Sequence, residues 1–303
     1  MLTHPLSGVY AAAITPLKSD FSIHHAAIPP LLDFYARRGC HGALLFGTTG
    51  EGPSFAPEER TKACKIALEI RQTYSNFKLL LGAGTPSLDE TVALTRAAFD
   101  LGFEGTVTLP PYYFRKVSDD GLFAWFGAVI KRAVPSGGNF FAYHIPSVSG
   151  VAVSPDLMAR LKDAFPTQFA GVKDSSADAD YGARLNDRFG KDQLIFCGTD
   201  PLLQDALTHG AGGCITAPAN LFSPELRQVW EAHLQGGHAS QAQGRLETMR
   251  PILDRYPPAS ATLKALLARF HNLPRFPVCP PLAPISSETE EKVAVELQAA
   301  GLI

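Results

Sequence analysis

The sequence of 303 residues lacks the features that mark several large classes of protein. Its 27 basic and 29 acidic residues give a net charge of −2, so no excess charge of one sign would attract nucleic acid or an anionic membrane. Its five cysteines are widely spaced and never form a C-x-x-C pair, which argues against a zinc site or a disulfide framework. No apolar run approaches membrane-spanning length, and the first residues do not resemble a signal peptide. These absences favour a protein of the reducing cytoplasm, with neither nucleic acid nor membrane as a partner.

Short apolar runs alternate with helical patterns along the first 222 residues. A short apolar run is typical of a buried strand, and eight strands are the number that a closed (β/α)8 barrel needs. An open, doubly wound sheet would also alternate strands and helices, but no Gly-x-Gly-x-x-Gly follows the first strand. We therefore predict an α/β protein with a TIM barrel in residues 1–222. The predicted strands are 8–14, 42–46, 78–81, 105–109, 139–143, 169–172, 194–197 and 213–215.

Several predicted helices have recognisable starts. Ser87 and Glu90 fit a capping box, in which the serine oxygen and the glutamate carboxylate each accept from a free backbone N–H of the first turn. The pairs Ser154-Pro155 and Ser223-Pro224 each place serine at the N-cap and proline at the first helical position. Beyond residue 222 the strand patterns end. We predict that residues 223–303 form a C-terminal helical region packed on the barrel.

Lys173 stands where the apolar run 169–172 gives way to small polar residues. The active site of a parallel barrel lies at the carboxyl ends of its strands. Apolar surroundings disfavour the charged ammonium, so the free amine of such a lysine becomes available as a nucleophile. When this segment is read alone, a surface lysine that opens the next helix is the alternative.

A glycine-rich loop, Gly-Thr-Thr-Gly-Glu-Gly at residues 47–52, follows the second predicted strand. Glycines let backbone N–H groups approach an anion, and Thr48 and Thr49 add hydroxyl donors. The loop lacks the Gly-Lys-Ser/Thr ending of a nucleotide-binding P-loop. It predicts a site for a carboxylate or a phosphate, with a plain turn as the alternative.

Tyrosines stand just beyond the fourth predicted strand, at Tyr112 and Tyr113, and at the end of the fifth, at Tyr143. A tyrosine in this place can carry a proton to or from a reacting oxygen, although a single one is more often an amphipathic packing residue. Together with the threonine loop and the lysine, all at predicted strand ends, they favour an active site. His144 is expected behind the reacting groups or at the rim.

These residues resemble the dihydrodipicolinate synthase and N-acetylneuraminate lyase family of class I, lysine-dependent aldolases, over nearly the whole chain. The matching segments are the carboxylate loop at 47–51, a Tyr-His-Ile-Pro segment at 143–146, a Gly-Val-Lys-Asp segment at 171–174 and a Gly-Thr-Asp turn at 198–200. His144 stands where the family usually has asparagine.

The resemblance implies a barrel in which a 2-oxo acid, pyruvate or a compound derived from it, is bound as an imine to Lys173. It implies that Tyr143 shuttles the proton at the reacting bond. Thr48 would link Tyr143 to Tyr113, and Tyr113 would come from a neighbouring subunit, which implies a homo-oligomer, either a dimer or a tetramer. Since the protonated imine is the electron sink, neither a metal nor another cofactor is expected.

The resemblance also implies the residues of the substrate pocket. Thr49 and backbone N–H groups would hold the carboxylate, while Gly198 and Ile215 would line the imine pocket. The other fragment is expected to be a hydroxylated aldehyde. The candidate partners for its hydroxyl groups are Asp200, Ser175, His144 and Ser149.

Two departures from the family's patterns narrow the expected substrate. Val148 stands where dihydrodipicolinate synthases carry an arginine, and valine cannot offer the paired donors that grip a second carboxylate. Pro201 stands where N-acetylneuraminate lyases carry a glutamate after Asp200. The segment 173–175 is more similar to enzymes that act on 2-keto-3-deoxy sugar acids. We predict an aldolase of that kind, with a sugar-acid dehydratase, dihydrodipicolinate synthase, N-acetylneuraminate lyase and a non-catalytic 2-oxo acid binder as alternatives.

Overall fold

Eight parallel strands close into a barrel in the computed structural model, which describes residues 4–303. Each strand pairs with its neighbours in sequence, and the last pairs with the first, so that Tyr10 lies opposite Ile215. The predicted TIM barrel is confirmed. The strands are β1 Gly8–Ala12, β2 Gly42–Leu45, β3 Lys78–Gly82, β4 Gly105–Thr108, β5 Asn139–His144, β6 Phe169–Asp174, β7 Leu194–Cys197 and β8 Gly213–Thr216.

Helices surround the barrel and continue beyond it. They are α1 Ile28–Arg37, α2 Pro57–Ala67, α3 Leu88–Asp100, α4 Asp119–Ala133, α5 Pro146–Ser149, α6 Pro155–Ala164, α7 Ala179–Phe189, α8 Leu203–Thr208, α9 Ala219–Leu234, α10 Ser240–Asp254, α11 Ala259–His271 and α12 Ser287–Ala299. No helix within the described part of the chain is both long and apolar enough to cross a membrane.

Two of the predicted helix starts occur as expected. Ser154 caps α6 by accepting from the N–H of Leu157 at 3.0 Å, and Ser87 caps α3 by accepting from the N–H of Glu90 at 3.3 Å. The second half of the capping box is not formed, because the N–H of Ser87 donates to Thr85 Oγ1 at 3.1 Å instead of to the glutamate.

A second helical segment does start near Ser223, as predicted, but the predicted serine cap is not formed, because Ser223 Oγ has no hydrogen-bond partner within residues 4–303. Thr216 Oγ1 accepts from the N–H of Ala219 at 3.2 Å, so α9 already begins there and runs through Pro224. The backbone kinks at Phe222 (φ −112°, ψ 26°), immediately before the serine and the proline. The expected division at 222/223 thus coincides with a kink inside α9, a helix that packs against β1.

Apolar side chains form one layer inside the barrel and another between the strands and the helices. Because successive residues of a strand point to opposite faces, Phe141 and Tyr143 of β5 lie in the inner layer, while Phe140 and Ala142 lie in the outer one. This alternation decides which side chains at the strand ends can meet inside the barrel.

Candidate active site

Lys173 is the fifth residue of β6 and is only 3% exposed. Its neighbour Val172 packs in the outer layer, so the lysine side chain belongs to the inner face of the strand. Lys173 lies opposite Tyr143 of β5 and Phe196 of β7 in the strand register. Its Nζ lies 4.3 Å from the centre of the Tyr143 ring. The alternative of a surface lysine is therefore excluded.

Tyr143 shares this buried environment and is 4% exposed. Burial raises the pKa of its phenol, but the positive charge of Lys173 lowers it, and side-chain hydrogen bonding with Lys173, Ser175 and Thr48 lowers it further. These favourable interactions outweigh burial, so the pKa of Tyr143 lies below its ordinary value. A phenol with a lowered pKa exchanges a proton more readily near neutral pH.

The loop 47–52 follows β2 at the same end of the barrel. Thr49 is buried, whereas Thr48 is exposed at the opening. The N–H of Gly52 donates to the carbonyl of Gly47 at 3.1 Å, which closes the loop on itself. A Cβ at Gly50 would lie 2.7 Å from the carbonyl oxygen of Ala13, so this position requires glycine. The hydrogen bond and the close approach both constrain the shape of the loop.

Ser175 and Gly198 complete this end of the barrel. The N–H of Ser175 donates to the carbonyl of His144 at 2.8 Å, and the N–H of Gly198 donates to the carbonyl of Asp174 at 2.6 Å. A Cβ at Gly198 would lie 1.9 Å from Ser175 Oγ, so the two residues are in direct contact. Ile215 lies in the apolar layer inside the barrel, together with Tyr143. The structure thus brings Lys173 and these residues to one end of the barrel.

His144 lies on the opposite face of β5 from Tyr143, so the predicted contact with a substrate hydroxyl does not fit its position. Its Nδ1 accepts from the N–H of Val153 at 2.9 Å, and its ring stacks on Tyr181 with centres 4.3 Å apart. Burial lowers the pKa of His144 to about 4. The ring is a neutral packing and hydrogen-bonding group.

Ser149 is also engaged elsewhere. Its hydroxyl donates to the carbonyl of Val151 at 2.8 Å and accepts from the N–H of the same residue at 3.2 Å. The buried hydroxyl stabilises the turn after α5, so a contact between Ser149 and a substrate would require this turn to open.

Only one oxygen of the Asp200 carboxylate, Oδ2, pairs with Arg250, and within residues 4–303 the other, Oδ1, is buried without a hydrogen-bond partner. Asp200 is 0% exposed and forms an ion pair with Arg250 of α10 at 3.2 Å. Burial raises the pKa of Asp200, while the charge of Arg250 and a hydrogen bond with Thr216 oppose that rise. The ion pair joins this carboxylate to the C-terminal helices. The predicted contact between Asp200 and a sugar hydroxyl remains a prediction.

Tyr113 is 76% exposed, and its ring meets that of Phe114 edge to face at 5.2 Å. Phe114 is 69% exposed. The side chain of Tyr113 is not enclosed within its own barrel. Its predicted role in the site of a neighbouring subunit remains a prediction.

The sequence did not predict the buried contact between Glu51 of the threonine loop and Lys264 of α11. Lys264 lies within the run Leu263-Lys264-Ala265-Leu266, which reads as a helical packing surface. Lys264 and Glu51 are 213 residues apart in the sequence, so no local sequence pattern predicts that they form a pair.

A cavity of about 720 Å³ opens elsewhere, between the β1–α1 loop and the C-terminal region. Its walls include Leu17, His24 and Phe276, and none of the predicted site residues lines it. Within residues 4–303, no three or more His, Cys, Asp or Glu side chains are grouped so that they could hold a metal ion.

Comparison with known proteins agrees with this geometry. The model of the "Dihydrodipicolinate synthetase family" matches residues 5–300. An uncharacterized DapA-like lyase of Chloroflexus aurantiacus is 37% identical over 284 residues, which cover 93% of this chain and 92% of that protein. A 4-hydroxy-tetrahydrodipicolinate synthase of Thermus thermophilus is 31% identical and covers 97% of this chain and 98% of its own length.

Solved structures show the same architecture. Dihydrodipicolinate synthase from Agrobacterium tumefaciens superposes with a TM-score of 0.87 at 29% identity, covering 96% of this chain and 98% of that one. YagE of Escherichia coli K12, solved in complex with pyruvate, has a TM-score of 0.91 at 22% identity and covers 98% of this chain and 99% of its own. At 22% identity, the similarity to YagE supports the fold and nothing more.

Proposed function

The chain belongs to the dihydrodipicolinate synthetase family and is a class I, pyruvate-dependent lyase, and from this premise we propose that Lys173 forms the imine with the 2-oxo acid. The observation that carries the proposal is the buried amine of Lys173, which lies 4.3 Å from the ring of Tyr143 inside the barrel. Within residues 4–303 no ion pair engages Lys173, which leaves its amine available as a nucleophile.

In this proposal the amine of Lys173 adds to the keto carbon of the 2-oxo acid, and the former carbonyl oxygen leaves as water. The protonated C=N accepts the electron pair when the carbon–carbon bond breaks and returns it when the bond forms. Tyr143 carries the proton to or from the hydroxyl of the other fragment. Its lowered pKa and its contacts with Ser175 and Thr48 support that role.

The loop 47–52 holds the carboxylate of the 2-oxo acid. Thr49 and the backbone N–H groups supply the donors, and the fixed shape of the loop reduces the entropic cost of binding. Gly198 and Ile215 surround the imine carbon. Of the predicted hydroxyl partners, Ser175 is the one whose side chain contacts Tyr143.

The proposed acceptor is a neutral, hydroxylated aldehyde, so that the full substrate is a 2-keto-3-deoxy sugar acid or a similar compound. Val148 is 53% exposed and provides no charge for a second carboxylate. A dehydratase would use the same imine and expel a hydroxyl group from the sugar acid without cleaving the carbon chain.

A second candidate is the synthase reaction, which the name of the Thermus thermophilus relative favours. It requires a cation that recognises the second carboxylate. Arg115 is exposed and its side chain lies against Gly150, two residues beyond Val148, so it is the cation to test by substitution.

The oligomer is proposed to be a dimer or a tetramer in which Tyr113 completes the site of a neighbouring subunit. Its exposure beside Phe114 supports this arrangement. We propose a reducing, cytoplasmic compartment, because all five cysteines are free thiols and disulfides are rare in reducing compartments.

The experiment that tests the substrate proposal incubates the protein with 2-keto-3-deoxy sugar acids, sialic acid and 4-hydroxy-2-oxoglutarate. Pyruvate and dehydrated 2-oxo acid are both measured, with Lys173→Arg as the inactive control. Release of pyruvate from a sugar acid supports the aldolase, whereas dehydrated product without pyruvate supports the dehydratase. A purely binding protein would turn over none of them.

A further inference from the structure

A buried ion pair ties the loop 47–52 to the C-terminal helical region. Glu51 Oε1 lies 2.5 Å from Nζ of Lys264, and their side chains are 0% and 1% exposed. Glu51 Oε2 accepts from the N–H of Cys279 at 2.7 Å, and Lys264 also donates to the carbonyl of Pro277 at 2.7 Å. The carboxylate therefore fixes the loop to α11 and to the segment that follows it.

The backbone transmits this restraint to the threonines. Glu51 has a φ of +55°, in the left-handed region that side chains other than glycine rarely adopt. Its N–H donates to the carbonyl of Thr48 at 3.1 Å, and its carbonyl accepts from the N–H of Ser54 at 2.9 Å. A strained residue persists when its surroundings hold it in place, and here the buried ion pair does so. Moving Glu51 would move Thr48 and its neighbour Thr49.

The pair also sets the local charge. A loop that binds an anion should not carry a second, uncompensated anion two residues from its main donor, since like charges repel strongly in surroundings of low dielectric constant. Lys264 balances the charge of Glu51 from within the protein, where both side chains are almost completely buried. Because both groups are desolvated, removing one leaves the other buried and unpaired.

We infer that Lys264 is a positioning residue for the substrate carboxylate. It acts through Glu51, holding the loop 47–52 in its binding shape and cancelling the charge beside it, without contacting the substrate. The inference rests on the proposed function, in which this loop binds the carboxylate of the 2-oxo acid.

The test uses the whole protein and two measurements. One is the pyruvate concentration that gives half-maximal borohydride trapping on Lys173, and the other is the thermal unfolding temperature. Lys264→Met should lower the unfolding temperature and raise the half-saturating concentration. The double variant Glu51→Gln/Lys264→Met removes both charges, so it should recover most of the stability. Because it lacks the tether, its half-saturating pyruvate concentration should stay at least about 10-fold above that of the wild type, with the maximal trapping rate changed by less than about 3-fold.

Two further variants keep the outcome decisive. Arg269 lies on α11, like Lys264, and forms a partly exposed ion pair with Glu291 of α12. Arg269→Met breaks this pair and should change neither measurement by much. Glu51→Asp keeps the charge, but the shorter side chain cannot reach both Lys264 and the N–H of Cys279 unless the loop moves. This variant should therefore also raise the half-saturating pyruvate concentration. It replaces the double variant in the test if the double variant does not fold.

Each result has one meaning. The inference would be overturned if the double variant or Glu51→Asp folded and kept the half-saturating pyruvate concentration of the wild type. Binding of pyruvate would then not depend on the contact between Glu51 and Lys264. Absence of trapping in the wild type and in Arg269→Met would instead refute the imine on Lys173. A raised half-saturating concentration with intact maximal trapping supports both.

Discussion

Replacing His144 by asparagine should remove part of the acid sensitivity of the fold. Burial lowers the pKa of His144 from 6.5 to about 4, with the charge of Asp178 opposing the shift. The folded protein keeps the ring neutral, whereas the unfolded chain binds a proton near pH 6.5. The stability that depends on this difference is therefore fully present above pH 6.5 and is lost as the pH falls towards 4. Asparagine does not titrate, and its side-chain oxygen can still accept from the N–H of Val153.

The size of the effect follows from the pKa difference. Each pKa unit corresponds to about 1.4 kcal/mol, so the wild type should lose up to about 3 kcal/mol more than His144→Asn between pH 7 and pH 4. His144 is 4% exposed, so little solvent screening reduces this value. His41, whose pKa burial also lowers to about 4, contributes equally to both proteins and cancels in the comparison.

Urea unfolding at four or five pH values measures the difference directly. At pH 7 the variant should be the less stable protein or equal to the wild type, because it loses the stacking on Tyr181. At pH 4 the gap should close or reverse. Parallel curves for the two proteins across this range would show that the buried imidazole is not a source of acid sensitivity, and would refute the reasoning.

Three further predictions concern the reaction. Tyr143→Phe keeps the ring and removes the hydroxyl, so kcat in a steady-state assay should fall by about 10²–10⁴-fold, and near-normal turnover would show that another group moves the proton. Val148→Arg should improve kcat/KM for aspartate semialdehyde. A well-placed charge-assisted pair contributes about 1.5–3 kcal/mol, and only part of this gain is expected, because the surrounding residues do not orient the new arginine. No gain would mean that the carboxylate of the semialdehyde does not bind near position 148. Gly198→Ala should displace Ser175 and lower kcat by about 10-fold or more, because the added Cβ would lie 1.9 Å from Ser175 Oγ, and full activity would mean that the two residues separate easily.

The sequence was sufficient to predict the barrel because its signals are local. Each strand has four to six residues and contains a short apolar segment. The polar side chains at or just beyond the ends of β2, β4, β5 and β6 are of a kind rarely needed for packing. Lys173 is recognisable for the same reason, since it interrupts a run that is otherwise buried.

The features of the site that the sequence analysis did not predict have physical causes. Tyr143 and His144 are consecutive in one strand, so they must point to opposite faces, and this period of two could have excluded the histidine from the sequence alone. Asp200 is paired with Arg250, and Glu51 with Lys264, across 50 and 213 residues. Such contacts form only when the C-terminal helices pack on the barrel, so no pattern of neighbouring residues in the sequence predicts them.

Ser223 shows the limit of a cap signal. Ser-Pro is typical of a helix start, but the hydroxyl of Thr216 satisfies the first turn of α9 at Ala219, before the serine is reached. Ser223 stands just after the kink at Phe222, is fully buried, and its hydroxyl has no hydrogen-bond partner within residues 4–303.

The most direct test of the imine is the mass of the peptide that contains Lys173 after incubation with pyruvate and borohydride. We predict one stable adduct on that peptide and none in Lys173→Arg, because a guanidinium that stays protonated cannot form the imine. Lys264, the other lysine that is buried within residues 4–303, serves as an internal control, since its ion pair with Glu51 should leave it unlabelled. An adduct on Lys264 or another lysine, or no adduct on Lys173 under conditions in which the enzyme turns over, would contradict the account.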